Sequence, residues 1–156
     1  MEKKERILEL VPAKTNDLDF AYAAWSESVK PHVGPYIADH LDRFWEDGFE
    51  KARFSQWWTP STEFIITLDK ISVGWMAYEI SDSTVMLTNF VILSQFRELG
   101  IASKILEEKL KEWSKAKMKV VHSVLKQSGY SSFFERMEFK IVGEDELVVF
   151  MEKVTV

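Results

Sequence analysis

The chain has 156 residues, 46% of them hydrophobic and 29% charged, with a formal net charge of −5, a balance typical of ordinary globular proteins rather than disordered or fibrous ones. This length fits a single domain over 1–156 that buries roughly 70% of its unfolded surface, and no apolar run is long enough to span a membrane. The acidic balance argues against nucleic acid as a partner, and the absence of cysteine excludes disulfides, thiolate metal sites and a cysteine nucleophile. His32, His40 and His122 lack metal-ligand spacing, so no metal is expected. Met1 to Arg6 is charged with mixed sign and lacks a secretory pattern, which points to a cytoplasmic protein.

Ile7 to Val11 reads as a first strand ended by Pro12, and Thr15-Asn16-Asp17 offers caps for a helix over Leu18 to Ser28. Lys30 to Pro35 holds two prolines and a glycine and reads as an irregular connection. A second helix is expected from Ile37 to Arg53, with Ile37, Leu41, Phe44, Trp45 and Ala52 on an apolar face. Asp39, Asp42, Glu46 and Glu50 fall on its solvated face, and Gly48 weakens its middle. Trp57 to Ser61 breaks the helix. Glu63 to Leu68, Ile71 to Ile80 and Thr84 to Leu93 then read as an antiparallel meander turning at Asp69-Lys70 and Ser81-Asp82-Ser83.

Ile101 to Ala116 is a helix with the apolar stripe Ile101, Ile105, Leu106, Leu110 and Trp113. Met118 to Leu125 is a strand, and a right-handed parallel crossover is its economical placement. Ser131 to Met137 reads as a short helix, and Phe139 to Gly143 and Glu146 to Val154 as closing strands. Trp25, Trp75 and Trp113 read as core.

The junction Arg97-Glu98-Leu99-Gly100-Ile101-Ala102 joins an apolar strand to a strongly helical segment. The opening amides of a helix have no intrahelical acceptors and, with the aligned peptide dipoles, favour an anion. Gly100 admits positive φ and close approach of a ligand, Ala102 keeps the next close position small, and Arg97 adds a forked cation. An ordinary strand-to-helix turn is the plain alternative for these six residues.

The pattern Arg-x-x-Gly-x-Ala resembles the pyrophosphate-binding signature of the GNAT superfamily of N-acetyltransferases. The order of elements is similar too, and the resemblance covers nearly the whole chain. It implies an α/β (α+β) fold with a mixed central sheet of about seven strands, an antiparallel meander followed by a β-α-β crossover, and four helices.

The resemblance implies acetyl-CoA (coenzyme A) as cofactor, lying in a V between strands Thr84–Leu93 and Met118–Leu125. Its pantetheine arm would meet backbone groups of Phe90, Val91, Ile92 and Leu93, and its pyrophosphate would meet Arg97, Glu98, Leu99, Gly100, Ile101, Ala102 and Ser103. A strand amide near Ile92 or Leu93 would stabilise the oxyanion. The family's Asn-x-x-Ala-x-x-Leu-Tyr-x-x-x-Gly-Phe frame is met by 127–139 with changes: Gln127 or Ser128 stands near the asparagine, Glu138 replaces the glycine, and Phe134 stands where tyrosine often donates to the leaving thiolate. Phe133, Phe134, Met137 and Phe139 also read as core.

The implied activity is transfer of acetyl to a primary amine, of a small molecule or a peptide, by direct attack in a ternary complex. A lysine-like amine is protonated at pH 7 and must lose a proton first. Asn89 matches an asparagine of a GNAT subgroup and is a candidate to hold water or acceptor; Glu46, Asp47 and Glu79 are candidate bases. Burial of an inward Glu79 would raise its pKa. Tyr130, Ser131 and Ser128 are candidate donors to the thiolate. Trp45, Glu46, Trp57 and Trp58 fall where one wall of the acceptor site is expected. A non-catalytic acyl-CoA sensor, a peptide or protein N-acetyltransferase and a cofactor-free interaction domain remain as alternatives, and the resemblance leaves room for a homodimer.

Overall fold

The computed structural model describes residues 6–59 and 62–154. Its β-strands form one seven-stranded sheet in the order β1-β2-β3-β4-β5-β7-β6, with β1 over Leu8–Pro12, β2 over Glu63–Leu68, β3 over Ile71–Ser81, β4 over Thr84–Ile92, β5 over Lys119–Leu125, β6 over Lys140–Glu144 and β7 over Val148–Lys153. Four α-helices occur among the described residues: α1 (Leu18–His40), α2 (Asp47–Trp57), α3 (Ile101–Lys115) and α4 (Tyr130–Arg136). β4 and β5 pair in parallel around α3, whereas β1–β2, β5–β7 and β6–β7 are antiparallel. The sheet is mixed, as expected.

Chain contacts divide the molecule into two compact units, residues to Met76 with Phe90–Ile101, and Ala77–Asn89 with Ala102 onward. In the first, β2 and β3 bury Ile65, Ile66, Val73 and Trp75, while Ala21, Ala24 and Ile37 of α1 and Phe54 of α2 are also buried. Asp69 and Lys70 both take positive φ, 50° and 71°, which suits a two-residue hairpin whose twist matches its strands. Asp69 Oδ1 also accepts the Ile7 amide at 2.8 Å, tying the turn to the start of β1. Pro12 is the last residue of β1, as expected of its stop, and it is tolerated within the strand because β1 is an edge strand with hydrogen bonding required on one side only.

The largest departure from the sequence-based expectation is α1. It runs unbroken from Leu18 to His40 through Pro31, Gly34 and Pro35, where an irregular connection is predicted. The two prolines are four residues apart and both exposed. The carbonyls they leave without donors, Glu27 and Pro31 by helical spacing, therefore fall on one face. The break comes instead at 41–46, where Asp42 has φ 52°, so the expected helix over Ile37 to Arg53 is divided. Leu41 and Phe44, predicted on its buried face, are exposed, whereas Glu50, predicted in solvent, is buried and paired with Arg43 at 2.8 Å.

In the second unit the α3 stripe Ile105, Leu106, Leu110 and Trp113 is buried, as are Val85, Leu87, Val120, Val124, Val149 and Met151 of the strands. The closing strands are not in chain order, since β7 lies between β5 and β6. No helix of the described residues is long and apolar enough to cross a membrane. Pro60 and Ser61 of the predicted helix break lie outside the described residues.

Candidate active site

The exit of β4 belongs to the first unit. Leu93 donates its amide to Val73 O at 2.9 Å and accepts from Phe96 at 2.9 Å, so its backbone is occupied. This corrects the expectation that its amide is open to an oxyanion. Because strand groups alternate in direction, Ile92 turns its backbone away from β3, and its carbonyl accepts from Arg97 Nε at 3.0 Å. Phe90 and Ile92 thus turn their backbone groups away from β3, whereas Val91 and Leu93 face it.

The approach of β3 to β4 is close here. A Cβ added at Gly74 would lie 2.5 Å from Val91 O and 2.9 Å from Ile92 Cδ1. Gly74→Ala must push back main chain, so a loss of about 1–3 kcal/mol is expected, read as a fall in melting temperature of roughly 3–10 °C. An unchanged melting temperature would contradict the close approach.

A 3-10 turn over Ser94–Phe96 follows β4, and then the loop Arg97–Gly100. Glu98 (φ 66°) and Gly100 (φ 76°) are both left-handed. Nothing lies within 4 Å of a Cβ built on Gly100, so the backbone there is open to a ligand. The helix that begins at Ile101 has no acidic residue in its first turn, so no carboxylate within that turn takes up its N-terminal dipole. Arg97 stands 4.0 Å from Glu27, so its cation is shared with a carboxylate of α1. Ala102 and Ser103 follow Ile101 in the first turn of α3, as predicted.

In the second unit the β4/β5 register ends at Leu87 and His122, although both strands run on. His122 Nδ1 stands 2.7 Å from Leu87 O. A carbonyl only accepts, so Nδ1 carries the proton and Nε2 presents a lone pair. Burial pulls the His122 pKa from 6.5 down to about 4, against the opposing effect of the Leu87 hydrogen bond. The imidazole is therefore neutral at pH 7. Its ring lies 4.6 Å from that of Phe134. Sequence reading considered His122 only as a metal ligand; its placement inside a strand of alternating apolar residues, Val120, Val124 and their neighbours, was the available signal.

The other predicted residues are dispersed. Asn89 is half-buried on β4 and Ser131 half-buried on α4, while Tyr130 is exposed at the start of α4. Ser128 Oγ donates to Leu125 O at 2.7 Å and accepts the Tyr130 amide at 3.2 Å, so its hydroxyl is taken up by the turn. Phe134 is buried between the rings of Phe133, Phe139 and His122, the core role. Glu79 is exposed, so the burial that would make it a strong base is not met.

Glu46 is the N-cap of α2, accepting the amides of Gly48 and Phe49 at 3.0 and 2.8 Å, and not a member of a solvated helix face. Asp47 accepts from Trp45 Nε1 at 2.8 Å and from the Tyr22 hydroxyl at 3.1 Å. These bonds, that from Trp45 foremost, lower its pKa. Trp45 and Trp58 belong to an aromatic cluster with Tyr22, Trp25, Phe54 and Trp75. Within it the buried Nε1 atoms of Trp58 and Trp75 have no hydrogen-bond partner. Trp57 lies outside the cluster, exposed beside Arg53.

No family model matches the sequence, and no curated protein matches it. The solved structures do. PaiA N-acetyltransferase from Thermoplasma acidophilum, in complex with coenzyme A, superposes with a TM-score of 0.71 at 16% identity over 95% of this chain and 99% of that one. A GNAT-family acetyltransferase from Bacillus anthracis gives 0.68 at 14% identity over 98% and 97%. Naa50 of Arabidopsis thaliana, bound to the bisubstrate analogue CoA-Ac-MVNAL, gives 0.62 at 16% over 94% and 97%. Over nearly its whole length, then, the chain has the GNAT acetyltransferase fold.

Proposed function

We propose that this chain is an acetyl-CoA-dependent N-acetyltransferase that transfers acetyl to a primary amine by direct attack in a ternary complex. The observation that carries this reading is the exit of β4: left-handed Glu98 and Gly100, open space at Gly100, and a following helix without an acidic first turn. These are the features a pyrophosphate needs. Solved structures of the same fold include an N-acetyltransferase holding coenzyme A and a GNAT-family acetyltransferase. The whole chain acts as one cytoplasmic transferase domain in this proposal.

The backbone of Phe90 and Ile92 binds the pantetheine arm, and the amides of Gly100, Ile101, Ala102 and Ser103 bind the phosphates. The amine loses one proton to solvent, and its lone pair then attacks the thioester carbon, forming the C–N bond. Asn89 holds a water or the acceptor. The Ile92 amide stabilises the oxyanion. The C–S bond breaks with its electron pair on sulfur, the nitrogen gives up its second proton to solvent, and Tyr130 or Ser131 supplies a proton to the thiolate and regains one from solvent. Trp45, Glu46 and Trp58 lie in the segment proposed to wall the acceptor.

Phe134 favours one other reading, a non-catalytic acyl-CoA sensor, since a buried phenyl ring cannot donate to a thiolate. Thiol release from acetyl-CoA is the discriminating experiment, run with small primary amines and with peptides bearing free N-termini. Amine-dependent release supports the transferase and identifies the acceptor class. Cofactor binding without release for any amine supports the sensor.

A further inference from the structure

Glu27 sits on α1, 67 residues before the turn that it touches. Its Oε1 accepts the Ser94 amide at 2.8 Å and lies 4.0 Å from Arg97 Nη2. Leu93, which begins the Ser94–Phe96 turn, gives that turn no side-chain cap, so the carboxylate from α1 takes that place. Arg97 is held from the other side by Nε donating to Ile92 O at 3.0 Å. The guanidinium at the head of the loop is thus fixed between a strand carbonyl and a helix carboxylate. Hydrogen bonding from Ser94, ahead of the charge of Arg97, holds the Glu27 carboxyl below its ordinary pKa, so it is ionised at neutral pH.

We propose that Glu27 is a positioning residue for the cofactor's phosphates: by capping the Ser94 turn and bracing Arg97, it sets the direction in which the Arg97–Gly100 loop leaves β4. The inference rests on the transferase reading above. Glu27 touches no reacting atom. Its effect falls on the nucleotide half of the cofactor, because the contacts it makes lie at the root of the phosphate loop and not at the strand groups offered to pantetheine.

The test compares acetyl-CoA with S-acetylpantetheine, which keeps the thioester and lacks the nucleotide phosphates. Glu27→Ala is expected to raise the acetyl-CoA dissociation constant about tenfold, leave kcat at saturation within about twofold, and leave the response to S-acetylpantetheine unchanged. Glu27→Gln keeps an oxygen for the Ser94 amide and is expected to recover most of the loss; it also stands in if the alanine variant does not fold. Equal losses for both cofactors would show a general structural role and overturn the proposal, as would no loss for either. A wild type that binds no acetyl-CoA would instead overturn the transferase reading, and this inference with it.

Discussion

Acetyl-CoA at about 100 times its dissociation constant is expected to raise the melting temperature of the wild-type chain by roughly 5–10 °C and to leave Gly100→Glu unmoved. The size follows from ligand linkage, about 2.7 kcal/mol at that saturation, divided by the unfolding entropy of a domain this large. The loss follows from position. Gly100 lies in the exposed loop just before α3, and its carboxylate replacement would set negative charge where the helix N-terminus and Arg97 favour a phosphate. The substitution costs about 1–2 kcal/mol, because an L-residue at φ 76° is strained. No atom lies within 4 Å of its Cβ, so the variant has no clash to unfold it. Gly100→Ala carries the same backbone strain without the charge and is the control; it retains a shift. A Gly100→Glu protein that shifts like wild type would show that the loop does not hold the phosphates.

The second large effect is acid sensitivity centred on His122. Its folded pKa, about 4, lies below its ordinary value of 6.5, so between these limits the unfolded chain binds a proton that the folded chain does not. Stability therefore rises with pH through this window, is fully present above about pH 6.5, and is lost as pH falls toward 4. The loss is up to about 3 kcal/mol for a shift of this order. No charged neighbour contributes: the causes are burial and the Leu87 carbonyl, and the ring packs on Phe134. Across the β5–β7 ladder His122 pairs with Met151, while the adjacent Glu152 is paired to Lys119. His122→Gln removes the titration. Urea unfolding from pH 7 to 4 should show the wild type losing up to about 3 kcal/mol more than this variant; parallel profiles would contradict the neutral, half-buried imidazole.

The sequence was most readable where one local pattern and the tertiary environment agree. Glu63–Leu68 is β-branched, aromatic and bounded by a turn, and it forms the strand that this pattern implies. The α3 stripe is buried in full because its 3.6-residue spacing meets a single core face. The turn into α3 was legible for a similar reason, since glycine at Gly100 answers a backbone demand, φ 76°, that few other residues meet.

Legibility failed where long-range contacts override local propensity. Two prolines stand within α1 at exposed positions, and exposure is a property of the packed chain that spacing alone does not reveal. Glu50 was read as solvated by its helical angle, yet Arg43 brings it a partner and makes burial tolerable. Glu27 and His122 make their key contacts 67 and 35 residues away, and no short motif contains either pair. The candidate site divides in the same way: its glycine loop is a local signal, whereas the Glu27 contact with its root comes from the fold.

The most direct test of an acetyltransferase is its product. The wild-type chain is incubated with acetyl-CoA and the amine that gives the fastest thiol release, and the acceptor is then weighed by mass spectrometry alongside the free thiol. One N-acetyl group gained per thiol released, with no gain on an acceptor whose amine is blocked, is the predicted result. Thiol release without an acetylated amine, or acetyl-CoA left intact across the whole panel of amines, would contradict the transferase.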